Sequence, residues 1–144
     1  MGKGHALSFR DLIVYQRAKE VSRLFFALSK SWPREEMYAL TDQGRRSSRS
    51  VGAQIAEAWA KRRYEKHFVS KLTDADGEQQ ETQHWVDEAF DCGYIDEAAR
   101  IQLLSKLNEV GRMLQSMIDK AASFCGSDTP CVREDNTDYF TEAD

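Results

Sequence analysis

Seven basic side chains crowd one part of this chain: Arg45, Arg46 and Arg49, then Lys61, Arg62, Arg63 and Lys66. An arginine fork can bind two oxygens of one phosphate, whereas a lysine offers a mobile point charge. Gln43 to Lys71 holds eight basic and two acidic residues, although the whole chain carries a net charge of −4. A local excess of this kind fits an anionic partner, above all a nucleic-acid backbone. The other reading is a solvated face paired with the residues that follow, because Leu72 to Gly126 holds eleven acidic and four basic residues. No base-reading motif accompanies the arginines, so binding would be sequence-tolerant and salt-sensitive. On a regular helix Arg45, Arg49 and Arg63 would share nearly one face.

Other chemistry is poorly represented. Glu81-Thr82-Gln83-His84 is an ExxH, of which a di-iron bundle needs two plus two further glutamates. His5 and His67 lack a glutamate three residues earlier, so neither a metal site nor a cofactor is expected. Tyr15, Trp59, Tyr64, Trp85 and Tyr94 could stack bases, although at helical spacings such rings usually pack in a core or interface. Cys92, Cys125 and Cys131 form no CxxC pair. They read as free thiols of a reducing compartment, with a Cys125–Cys131 loop closure as the alternative. No nucleophile elbow is present, so a non-enzymatic role is expected. No apolar run reaches the roughly 20 residues of a membrane span, and the N-terminus lacks a signal-peptide core. Cytoplasm is the expected compartment.

The elements that must carry these groups are helical. Ser8 reads as an N-cap, and Val14, Ala18, Val21, Phe25 and Leu28 step by three or four up to Pro33, which stops helix one. Pro33 to Leu40 reads as a connector packed down by Met37, Tyr38 and Leu40. Thr41 or Asp42 should cap helix two, whose core stripe is Leu40, Gly44, Ser48, Val51, Ile55 and Trp59. Gly44 and Gly52 each cost about 1 kcal/mol inside a helix, which suggests close backbone approach. Phe68, Leu72, Ala75, Gln79, Thr82, Val86 and Ala89 form the stripe of helix three, polar at its centre, with Gly93 as the terminating cap. Asp96 should cap helix four, with its stripe Leu103, Leu107, Val110, Leu114, Met117 and Ala121.

Short connections between such helices imply an all-α, antiparallel up-down-up-down four-helix bundle over residues 1–125. The acidic stretch 126–144 reads as a disordered tail, with competition for the basic region as a sharper role for it. Beside the stripe of helix two, Gly52, Ala53, Ala56 and Ala60 extend an uncharged surface over more of the circumference than a one-sided helix requires. A second copy of the protein is the expected occupant.

Several ordered segments carry a resemblance. They are Phe9-x-Asp11-Leu12 with Val14-Tyr15-Gln16 and Ala18, Pro33-x-x-Glu36, Leu40-Thr41-x-Gln43 with Arg45 and Arg46, Ser50-Val51, Ile55-Ala56-Glu57, Phe68, Leu72, Ala75, Gly77, Glu81-Thr82 and Gly93-Tyr94-Ile95. The chain resembles the bacterial four-helix-bundle family first met as reading frames inside 23S ribosomal RNA intervening sequences. The accessory protein of diversity-generating retroelements falls in the same broad group. Gly52, Gln54 and Ala58 stand where the family usually has Pro, Asn and Gly, and Glu78-Gln79 where it has Ser-Leu. The resemblance implies a bundle assembled as a ring-like homopentamer around a central channel. It implies no established activity for most members, and binding of nucleic acid and a reverse transcriptase for the retroelement relatives. Two functions are therefore expected: an oligomer that binds RNA or DNA non-specifically, or an oligomeric adaptor whose basic residues serve a protein partner.

Overall fold

The computed structural model describes residues 5–125 and 132–133. Within them the long elements are α1 (Ile13–Ser29), α2 (Asp42–Ala60), α3 (Glu65–Asp91) and α4 (Glu97–Asp119), followed by a single turn, α5 (Ala121–Phe124). Contacts between helices give their directions. The Phe25 ring lies over Gly44 and the Tyr15 ring over Gly52. Lys71 reaches Glu57 while Thr82 meets Ser47. Arg100 pairs with Asp87, and Gln83 donates to Asn108. Arg17 reaches Glu109, and Lys106 reaches Glu20. In every pair one number rises as the other falls. Sequence neighbours thus run antiparallel and α4 returns to α1, closing an up-down-up-down bundle.

The expected stripes face inward. Val14, Ala18, Val21 and Phe25 of α1 are buried, as are all seven expected positions of α3 and the α4 stripe from Leu103 to Met117. Full burial of each Leu or Phe contributes roughly 1.5–3 kcal/mol. The core is in two parts. One cluster gathers Val51, Ile55, Phe68, Leu72 and Leu114; the other gathers Phe25, Leu40, Val86, Leu103 and Leu107. The turns between them carry Ser47, Ser48, Gln79 and Thr82, all buried. The polar centre of the α3 stripe therefore has partners. The Ser47 and Thr82 hydroxyls lie 2.8 Å apart, and Thr82 also donates to the Glu78 carbonyl. Gln79 donates to Asp76 and accepts from Gln83. Gly111 makes room for this layer, since a Cβ there would lie 2.9 Å from Gln79 Nε2.

Helix ends follow the sequence signals in part. Ser8 and Asp11 form a capping box, but around a 3-10 turn, Phe9–Asp11; extended backbone at Leu12 delays α1 to Ile13. The stretch after Pro33 is not an irregular connector. A 3-10 turn, Arg34–Glu36, runs into a π-turn, Met37–Thr41, which continues directly into α2. α2 begins at Asp42, where expected, but Thr41 before it is itself helical and makes no side-chain cap, because the π-turn runs straight into the helix. Leu40 packs down, but Tyr38 is 83% exposed. The Gly93 expectation holds: at φ +79 it lets Tyr94 N–H reach the Ala89 carbonyl and its own N–H reach Phe90, the paired bonds of a left-handed helix cap. Asp96 caps α4 through Ala99 N–H.

His5–Ala6 pairs antiparallel with Val132–Arg133. The remainder of the expected acidic tail, 126–131 and 134–144, lies outside the described residues, as does Cys131. No helix among the described residues is long and apolar enough to cross a membrane.

Candidate anion-binding face

The seven basic residues do not form one site. α2 stops at Ala60, and Lys61 leaves the helical conformation (φ −101, ψ 19). Arg63 therefore does not continue the face of Arg45 and Arg49, as it would on an unbroken helix. Lys61, Arg62, Arg63 and Lys66 sit around the α2–α3 turn, about 22 Å along the helix from Arg46 at 1.5 Å per residue. Arg62 is committed to its own turn: its Nε donates to the Trp59 carbonyl and its guanidinium lies 3.6 Å above the Trp59 ring.

Arg45, Arg46 and Arg49 do come together. They line an open hollow of ≈ 860 Å³ with Tyr38, Asp42, Gln43, Ser50 and Ala53. Arg45 is half-buried, with Nε donating to Ser29 Oγ at 2.8 Å. Arg46 donates to the Gln43 side chain, and Arg49 is exposed. The hub below them is Phe26 of α1, whose ring is approached by Arg45 at 4.6 Å, Arg49 at 5.3 Å and Lys30 at 5.0 Å. Each contact places a cation near the electron-rich face of a ring. Among the described residues, none of these four cations has a carboxylate within 4.0 Å.

Four cations elsewhere in the bundle are paired. Arg17, Lys71, Arg100 and Lys106 each reach an acidic side chain. The hydrogen bond between Lys71 and Glu57 raises the ammonium pKa and lowers that of the carboxyl. The paired acidic residues of α3 and α4 are Asp74, Asp87, Glu97 and Glu109, whose partners are Lys71, Arg100 and Arg17. Among the described residues Arg45, Arg46 and Arg49 form no ion pair with the following helices.

Sequence reasoning missed Lys30, Phe26 and the outward Tyr38. A signal existed for the first two: Lys19, Arg23, Phe26 and Lys30 step 4-3-4, one face of α1. A smaller hollow of ≈ 360 Å³ lies further along that helix, lined by Arg10, Tyr15, Gln16, Lys19, Glu20 and Arg23.

The expected subunit surface is only partly outward. Gly52 is buried within its own chain, where a Cβ would lie 3.3 Å from Tyr15 Cε1. Ala53 and Ala60 are exposed and Ala56 is half-buried. At roughly 100° per residue, Arg46, Arg49, Ala53 and Ala60 share one outward arc of α2.

The remaining candidates are occupied. Glu81 accepts from the Trp85 indole, and exposed His84 rests against the Trp85 ring at 4.7 Å. No group of three or more His, Cys, Asp or Glu side chains among the described residues could hold a metal. Trp59 is buried, Tyr15 packs edge-on to Phe9, and Tyr94 donates to Glu36 at 2.7 Å. Tyr64 is exposed beside His67. Burial, then the nearby Glu65 carboxylate, pushes the Cys125 thiol up to about 11, so it is protonated at neutral pH. Cys92 is exposed and free.

The chain matches the family model described as the 23S rRNA-intervening sequence protein over residues 10–116. It is similar to a crystal structure from Bacteroides thetaiotaomicron VPI-5482, described as a protein with unknown function from the S23 ribosomal protein family. The two are 26% identical with a TM-score of 0.68, and the match covers 74% of this chain and 96% of that one. No curated protein matches the chain.

Proposed function

We propose a binding role for this chain, which belongs to the 23S rRNA-intervening sequence protein family. In this reading it is a non-enzymatic, cytoplasmic, ring-like homo-oligomer that holds RNA or DNA without sequence preference through the outward face of α2. One observation carries the reading. Arg45, Arg46 and Arg49 converge on one open hollow, and none of them has a carboxylate within 4.0 Å among the described residues, although Asp42 also lines the hollow. Arginines held apart from acids keep their forks available to phosphate oxygens. Repetition around a symmetric assembly would turn a modest patch into a strong positive field. The exposed Ala60, about 16 Å along α2 from Arg49, supports a neighbouring copy seated clear of the hollow, and the resemblance supports five.

The test is fluorescence anisotropy with unrelated RNA and DNA at about 20–50 mM salt, where charges are weakly screened. Binding is expected there and should fall steeply towards moderate salt. Arg46→Glu with Arg49→Glu should abolish it without altering the thermal melt, because both side chains are outside the core. Arg45 is a poor choice for this variant because it also holds Ser29. Absence of binding at low salt sinks the reading. The second reading, an adaptor for another protein, draws on the uncharged Tyr38 and Ala53 beside the arginines; a partner retained after nuclease treatment would favour it.

A further inference from the structure

We infer that the hollow is a single-strand platform, in which Tyr38 stacks an unpaired base while Arg46, Arg49, Arg45 and Lys30 hold the flanking phosphates. The inference rests on the nucleic-acid reading of this face and adds the class of ligand. Tyr38 is 83% exposed, whereas Leu40 and Thr41, two and three residues on, are 4% and 2% exposed. Within the turn Met37–Thr41 the buried Leu40 and Thr41 face the core while Tyr38 stays on the solvent side. An exposed phenol ring offers a flat apolar face that a partner can cover.

The surroundings select what covers it. Tyr38 lines the same hollow as Arg45, Arg46 and Arg49. Arg45, Arg49 and Lys30 crowd one Phe26 ring with no carboxylate among them. Three like charges at one ring repel each other, and an anion between them relieves the repulsion. Phe26 is half-buried and already in contact with those cations, so Tyr38 is the ring left for a ligand. An aromatic face beside a row of cations is the arrangement that binds single strands, with bases on the ring and phosphates on the charges. A duplex keeps its bases stacked inside and gains little from an exposed ring.

The experiment compares a labelled single-stranded oligonucleotide with a duplex of equal length at low salt, using the full chain. The wild type should prefer the single strand. Tyr38→Ala should weaken single-strand binding by about 5- to 150-fold, the range expected for one lost stacking contact, and leave duplex binding unchanged. Tyr38→Phe should keep the wild-type affinity. Lys30→Gln should weaken both ligands and lower the salt slope by about one per site. If Tyr38→Ala leaves single-strand affinity unchanged, or weakens both ligands alike, the platform is refuted while the phosphate-binding face stands. An altered sedimentation coefficient with unchanged affinity makes Tyr38 a subunit contact and also refutes it. If neither ligand binds the wild type, the underlying reading falls and the platform with it. The ring is outside the core, so circular dichroism of the variants should match the wild type.

Discussion

Gly44 and Gly77 are both helical glycines, and alanine should act on them in opposite directions. At Gly77 a Cβ meets nothing within 4 Å. Gly77→Ala should therefore stabilise by about 0.5–1 kcal/mol through helix propensity and the unfolded chain. At Gly44 the Cβ would fall on the Phe25 ring, which is 1% exposed in the core and has little room to move. Overpacking of this kind costs about 1–3 kcal/mol, enough to outweigh the propensity gain. Urea midpoints at constant m-value would show the two signs. The glycine signal in helix two was legible in the sequence, but its cause was not: an aromatic ring of α1, rather than a second backbone, lies against each glycine. A titration offers a second check at this scale. The hydrogen bond to Glu36, then burial, holds the Tyr94 phenol at about 12, against an ordinary value of 10.0. Because the folded pKa is raised, the contact's stabilisation is complete below about pH 10 and is lost as pH rises towards about 12. Absorbance should show one of the five tyrosines ionising late, and Glu36→Ala should move it back among the others. Simultaneous ionisation of all five in the wild type would show that the contact does not form in solution.

Among the elements, the α2–α3 contact is set by a polar layer between two apolar clusters. The Ser47–Thr82 hydroxyl pair crosses it at 2.8 Å. Each hydroxyl also has a carbonyl of its own helix, Gly44 and Glu78, so neither is orphaned when the other is removed. Ser47→Ala and Thr82→Val should each cost about 1 kcal/mol. The double variant should cost less than the sum, by about 0.5–1 kcal/mol, because both singles delete the same bond. Strict additivity in chemical denaturation would show that the two hydroxyls do not interact. The sequence exposed Gln79 and Thr82 as a polar flaw in an apolar stripe. It could not supply Ser47, because the serine that fits the helix-two stripe is Ser48. Which of two adjacent serines meets α3 depends on the rotation of α2 against it.

For the molecule as a whole, the decisive measurement is mass in solution. Sedimentation should give a discrete multiple of 16.5 kDa at micromolar protein. Ala60→Glu should release single subunits with an unchanged helical spectrum, since the position is exposed and outside the hollow. A lone subunit at every concentration would remove the second copy, and with it the repeated field that makes the arginines strong. The nucleic-acid face would then rest on one hollow per molecule, with a correspondingly shallow salt dependence.

The helix pattern, most of the core stripes, the Gly93 and Asp96 caps and the antiparallel order were set by local periodicity and chain connectivity. These depend on spacings of three and four residues and on short links, so they are readable in one dimension. The sequence also marked Arg45, Arg46 and Arg49. Only the tertiary structure separated them from Lys61, Arg62, Arg63 and Lys66, because one helix end at Ala60 breaks the face. Only it added Lys30 and Phe26, because they come from a different helix that crosses beside α2. Tyr38 was decided in the same way: the folded chain gives the core side of this turn to Leu40 and Thr41 and leaves the Tyr38 ring on the solvent side.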